Sequence, residues 1–178
     1  EAAFREGYWS AWVHLALSGS FQRRTHVPLP PWPEAFSLVN EFFDQENVVM
    51  PLFHPPTFMT LLGRQYSQEV LDNPAWWASL NAVLAIAYRR RVERGQCASE
   101  KADLPWQYIA NALDSLLDIL MRNIRLLSVQ ALLSLAWFFT GTPNPQPSFI
   151  LTASAVRLAH SIGLHNGDCH LTHNPIEI

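Results

Sequence analysis

The chain has 178 residues, enough for one compact core, since a domain of this size buries roughly 70% of the surface that its unfolded chain would expose. Apolar residues make up 49% of it and charged residues only 15%, against roughly 25% charged in ordinary soluble domains, so either part of its surface is covered by something outside the chain, which is the favoured expectation, or its helical interior is unusually large and apolar. The net charge of −3 excludes a general attraction to phosphate and, with it, nucleic-acid binding through bulk charge.

Residues 1–17 place Phe4, Tyr8, Trp12 and Leu15 at helical spacing, which predicts a short amphipathic arm. The opening, EAAFRE, has no initiator Met and no basic segment before an apolar run, so it reads as the start of a fragment with no signal peptide. Ser18 to Pro33, SGSFQRRTHVPLPPWP, has the composition of an irregular or polyproline-like linker. A first core helix is expected from Glu34 to about Glu46, with Phe36, Val39, Phe42 and Phe43 on one side and acidic charge at its start. The prolines of MPLFHPPTF impose a turn, and a helix resumes from Thr57 to about Tyr66. His54, in that turn, is expected to bond to backbone rather than to act as a base, for lack of an orienting carboxylate.

DNPAWWASLNAVLAIAYRRRVERG carries the clearest helix signal. Asp72 or Asn73 can cap it, Pro74 suits its first turn, and Gly95 can close it in a left-handed conformation. Arg89, Arg90, Arg91 and Arg94 fall in its last turns, where the helix dipole favours cations; they are read as a solvated helix end rather than a phosphate patch. After the polar link QCASEKAD, Trp106 to Leu120 repeats Ile109, Leu113, Leu116, Leu117 and Leu120 at helical intervals. Cys97 and Cys169 are the two cysteines and stand far apart, which excludes a disulfide framework and a cysteine zinc site and points to a reducing compartment.

Ser128 is expected to cap a helix running through Phe139, apolar on nearly every face and therefore central, with Gly141 ending it. That run is too short and too often interrupted to cross a bilayer. Pro143, Pro145 and Pro147 then predict a stiff, extended elbow. The last helix, Ser148 to Ile162, has Phe149, Ala153, Val156 and His160 along one line and Leu151, Ala155, Leu158 and Ile162 along another, and stops at Gly163 with Leu164 as a hydrophobic cap. Without alternating strands or repeats, the fold class is all-α: an irregular bundle of about five or six helices with a buried central helix.

Three stretches in order resemble a known family. MPLFHPPTF supplies Pro51, Phe53, His54, Pro56 and Phe58; VQALLSLA supplies Gln130; and GTPNPQPSF with AVRLAHSIGLH supplies Gly141, Pro143, Arg157, Gly163 and His165. Together they resemble the fungal-specific transcription factor domain, the middle homology region that accompanies binuclear zinc cluster DNA-binding domains, with Phe149 where the family often has Trp. The likeness covers about Glu34 to His165, and implies an arm and linker at 1–33, a regulatory domain at 34–165 and an irregular tail at 166–178, as if truncated at its C-terminus. It also implies control of transcription in the nucleus without catalysis, structural roles for the motif residues, and zinc only in a DNA-binding segment absent from this chain. The expected partners are other segments of the same factor or a regulatory protein, with DNA reached only through the absent cluster; a small apolar ligand and a homodimer are open to it, a membrane is not.

Two rival functions accompany that expectation. One is a free-standing relative that binds or transforms an apolar metabolite, in a closed cavity between the elbow helix and the Trp76/Trp77 helix. The tryptophans at 76, 77, 106 and 137 and the ten Phe could line such a pocket or simply fill the core. The other is a bare docking or dimerisation module with a large exposed apolar face. No nucleophile elbow, phosphate loop or H-E-x-x-H occurs, so no catalytic residue is assigned. His160, His165, Asp168, Cys169, His170 and His173 near the C-terminus have zinc-ligand chemistry but no standard spacing, so no metal ligand is assigned either.

Overall fold

The computed structural model describes residues 24–67, 71–96, 101–122 and 124–166. The expected arm at 1–17, both cysteines and the expected donors Asp168, Cys169, His170 and His173 lie outside these residues. The described residues form seven helices: α1 Trp32–Val49, α2 Pro55–Gln65, α3 Pro74–Glu93, α4 Leu104–Leu113, α5 Leu116–Arg122, α6 Leu126–Thr140 and α7 Gln146–Ser161. The fold is an all-α bundle with a buried central helix, and the six helical units of the sequence pattern become seven because one of them breaks.

The central place belongs to α3 rather than to the Ser128–Phe139 helix. Every residue from Ala78 to Tyr88 is 2% exposed or less, so this stretch is buried on all sides and needs neighbours on all sides. It receives α1, α4, α5 and α6 around it. Asn73 caps it, its side-chain oxygen accepting from the N–H groups of Ala75 and Trp76 at 2.9 and 3.1 Å. At the other end Gly95 takes φ +69°, and the bonds Gly95 N–H to Val92 O and Gln96 N–H to Arg91 O complete a Schellman closure. The α7 terminus repeats it, with Gly163 at φ +77°, Gly163 N–H on His160 O and Leu164 N–H on Ala159 O.

Several expectations are corrected in detail. Pro55 and Pro56 open α2 instead of preceding it, because proline suits the first helical turn, where no N–H is required. The buried stripe of α1 is Ala35, Leu38, Val39, Phe42 and Phe43; Phe36 is exposed and rests beside Trp32. The expected Trp106–Leu120 helix is interrupted at Asp114–Ser115, side chains that favour turns over helix interiors. The break rephases the wheel, so Ile119 is buried while Leu117 is exposed. Ser128 sits inside α6, fully buried, and Arg125 holds the N-cap position. The proline elbow is shorter than expected, since Pro145 caps α7 and Pro147 lies in its first turn, leaving Pro143 in the bend.

A chain of tilted and edge-to-face aromatic contacts stitches α1, the α1–α2 turn, α2 and α3. Phe42 meets Phe53, Phe53 meets Phe58, and Phe58 lies 4.9 Å from Trp76, centroid to centroid. Trp76 is wholly buried and donates its indole N–H to Gln65 Oε1 at 2.9 Å. Replacing Trp76 by Ala removes both the packing and the bond, and a loss of about 3–5 kcal/mol in chemical denaturation is expected. Phe149→Ala, at a position 75% exposed, should change stability by no more than about 0.5 kcal/mol.

Candidate functional site

The polar contacts gather in three places rather than one pocket, and the motif residues are spread between the first of them, the edge of the second and the two ends of α7. The first is the α1–α2 turn. Asn47, at the end of α1, accepts from the N–H groups of Leu52 and Phe53, both at 3.0 Å, and donates to Phe53 O at 3.1 Å. The turn that holds Pro51, Phe53 and His54 and leads into Pro56 and Phe58 of α2 is thereby fixed from within by the Asn47 amide. Gln130 reaches it from α6, donating Nε2–H to Leu52 O at 2.7 Å, so two motifs far apart in sequence meet. His54 is exposed and shares a 2.8 Å hydrogen bond with the Thr57 hydroxyl, where a bond to backbone was expected.

The second place is the C-terminal end of α3, and its arginines are not a solvated helix end. Arg90 donates Nε–H to Glu46 at 2.5 Å, and Trp137 of α6 donates its indole N–H to the same carboxylate at 3.1 Å. Arg91 forks onto Glu41, with its Nε–H on Oε2 at 2.9 Å, and Arg94 donates to Gln45 Oε1 at 2.7 Å. Arg89 turns to α6, donating to Phe138 O at 2.6 Å with its guanidinium 4.7 Å from the Phe138 ring centre. Gly141 packs beside it: a Cβ there would stand 3.4 Å from the Arg89 guanidinium, in ordinary van der Waals contact. These groups clamp α1, α3 and α6 together.

The electrostatics follow from that geometry. Burial alone would raise the Glu46 pKa, but the Arg90 and Trp137 donors outweigh it and hold it below the ordinary 4.5. The Arg91 guanidinium lowers Glu41, and the Lys101 ammonium, 2.8 Å away, lowers Glu34.

The third place is an N-terminal strap. Residues 24–31, without regular structure, are tied to α4 by Asn111, which accepts from His26 N–H at 2.6 Å and donates to Val27 O at 2.8 Å. Asp114 accepts from Arg24 N–H at 3.2 Å and faces His26 Nε2 at 3.0 Å. Tyr108 and Tyr66 donate their hydroxyls to Pro28 O and Pro30 O at 3.2 and 2.6 Å. Beneath the strap, Asn111 also donates to Asn81 of α3 at 2.9 Å, satisfying two buried amides at once.

Near the elbow lies an open cleft of about 320 Å³, lined by Leu113, Leu116, Phe139, Asn144, Gln146, Pro147, Ile150 and Leu151. It separates α7 from the α4–α5 junction, whereas the expected cavity lay between α7 and α3; Trp76 is core. At the far end of α7, Arg157, His160 and His165 are exposed, with the two imidazole rings 4.9 Å apart. Among the described residues no group of three or more His, Cys, Asp or Glu could hold a metal ion, and no helix is long and apolar enough to cross a membrane.

Residues 39–174 match the fungal specific transcription factor domain. The chain belongs to this family. Its role is accordingly regulatory and not catalytic. It is 60% identical over 157 residues to a fusaridione A cluster transcription factor of Fusarium heterosporum, a match covering 88% of this chain and 30% of that protein. It is 49% identical over 170 residues to ABC-transporter-regulating transcription factors of Aspergillus oryzae and Aspergillus fumigatus, covering 96% of this chain and 19% of each of theirs. The chain thus spans less than a third of the length of these relatives. No solved structure matches it.

Asn47, Glu46, Asn81 and Asn111 escape a reading of sequence pattern, because helical periodicity marks apolar faces and is silent on which polar residue meets which across the bundle. The one available signal was the pair Glu41 and Glu46, near a helix face, set against four clustered arginines. Because the Glu34, Glu41 and Glu46 pKa values are depressed on folding, their contribution is full above about pH 4.5 and is lost as pH falls through the lower folded-state values. Glu46→Gln should therefore cost about 1–2 kcal/mol at pH 7 and flatten the acid limb of a plot of unfolding free energy against pH.

Proposed function

We propose that this domain is the regulatory middle of a longer zinc-cluster transcription factor working in the nucleus, which reaches DNA only through a zinc cluster carried elsewhere in the polypeptide. On this reading residues 1–33 are arm and linker, 34–165 the regulatory body and 166–178 a tail. The motif residues, from Pro51 to His165, serve as its structural supports. The named roles of the relatives, in a fusaridione A cluster and in regulating ABC transporters, support gene control as the output.

The observation that carries this proposal is the strap. Four side chains of the helical body hold residues 24–30, so whatever precedes the domain is joined to a fixed surface and not to a free tether. A body that grips its linker can restrain or orient the segments beyond it. In the full-length factor, Asp114→Ala should change reporter transcription several-fold while purified protein binds its DNA site with unchanged affinity. Unchanged transcription, or an equal change in DNA affinity, would overturn the proposal.

The elbow cleft favours a second reading, a small apolar effector. Its volume lies at the lower end of ligand-pocket sizes. Trp106 packs against Phe139, a lining residue, at 6.3 Å between ring centres, so a bound ligand should quench tryptophan fluorescence saturably. Ile150→Trp, which fills the cleft, should abolish the quenching; linear, unsaturable quenching would rule the effector out.

A further inference from the structure

Among the described residues, one face of α7 has no cover. Leu151 and Ala155 are buried, and Leu158 and Ile162 pack on the core, chiefly against α6. On the outward side Phe149 is 75%, Ile150 52% and Val156 48% exposed. Phe149, Ala153, Val156 and His160 follow the i, i+4, i+7, i+11 spacing of a single helical stripe. Such spacing is what one helix presents to another, and Ala153 near its middle lets a neighbouring backbone approach closely.

The charge borne by α7 itself has one sign, since Arg157 and His160 are its titratable side chains; Arg122, earlier in the chain, is paired with Asp118 at 3.4 Å. Between Asp118 and Asp168 the sequence contains no Asp or Glu, whereas it carries Arg122, Arg125 and Arg157 with His160 and His165. The chain as a whole is acidic, and the α3 arginines are matched by carboxylates of α1, but Arg157 is exposed with no carboxylate partner among the described residues. An occupant complementary to this face is apolar along one line and acidic beside it.

Size separates a tethered occupant from a free one. The stripe is about 17 Å long and one helix wide, on the order of 10 Å, well below the roughly 800 Å² per partner of a stable independent interface. A tethered segment needs no such area, because a linker raises its effective concentration into the millimolar range. The chain spans 30% and 19% of the relatives' lengths, so in those proteins most of the polypeptide lies beyond the matched segment.

We propose that the outward face of α7 docks an acidic amphipathic helix contributed in cis by another part of the parent polypeptide, its apolar line on Phe149, Ala153 and Val156 and its carboxylates beside Arg157 and His160. This deepens the regulatory reading and rests on it. The test uses the full-length factor, with a benzophenone photocross-linker in place of Val156, an exposed position whose replacement leaves the core intact. The expected product is an intramolecular cross-link to an acidic amphipathic segment. Its yield should fall at least fivefold on adding Arg157→Glu and fall again at high salt.

A cross-link to a second copy, to a separate protein or to a non-acidic segment would overturn the inference, as would no cross-link or a yield indifferent to Arg157→Glu. The reporter response to Asp114→Ala is read in the same strain. If it persists while the cross-link fails, the docking inference falls and the regulatory reading stands; if it is absent while the cross-link forms, the regulatory reading falls and the contact stands as a structural one only.

Discussion

The demand of α3 for cover on every side organises the molecule. From Ala78 to Tyr88 this helix offers no face to water, and a helix of that kind has no stable place at a surface. Four helices answer the demand. The amide that α3 takes inside must then be paired in place, since leaving it unpaired costs about 1–3 kcal/mol. Asn81 satisfies this by donating to Trp77 O and by accepting from Asn111, and Asn111 in turn fixes the strap. One buried amide pair thus ties the core of the bundle to the segment that leads out of it.

The same helix ends in charge. Its arginines emerge as the apolar core runs out, at the end where the helix dipole already favours cations. Placed there, they meet carboxylates of α1 and the backbone of α6 instead of solvent. Partly exposed ion pairs of this kind stabilise only modestly one by one. Their larger effect is geometric: forked guanidinium contacts fix the register of α1 on α3, and the indole of Trp137 shares Glu46 with Arg90, which brings α6 into the same register.

How far this was legible in the sequence depends on the kind of signal. The helices were legible, because apolar period, proline placement and glycine stops are local: Asn73, Gly95 and Gly163 do as their positions imply. The break at Asp114–Ser115 was masked by leucines that continue the period across it, and the central helix was misplaced because two apolar runs competed and only packing decides between them. The three functional places were hardly legible. Gln130 and Pro51 to Phe58 were visible as motifs, but their contact through Leu52 O, like the grip of Asn111 and Asp114 on residues 24–27, joins residues remote in sequence, which no periodicity reports.

The break that disturbs the pattern also sets the mechanical layout. Asn111 and Asp114 hold the strap, while Leu113 and Leu116, interleaved with them, line the cleft facing Ile150 and Leu151 of α7. A regular helix through this region would bury its leucines in one stripe against α3; the turn at Asp114–Ser115 instead leaves Leu113 and Leu116 at the cleft. An open cleft forfeits the dispersion contacts that a filled one would make, so α7 is held mainly through α6. An occupant of the cleft would therefore touch the same short segment that grips the strap. Residues 111–116 thus carry two surfaces on one short segment, the linker on Asn111 and Asp114 and the cleft on Leu113 and Leu116.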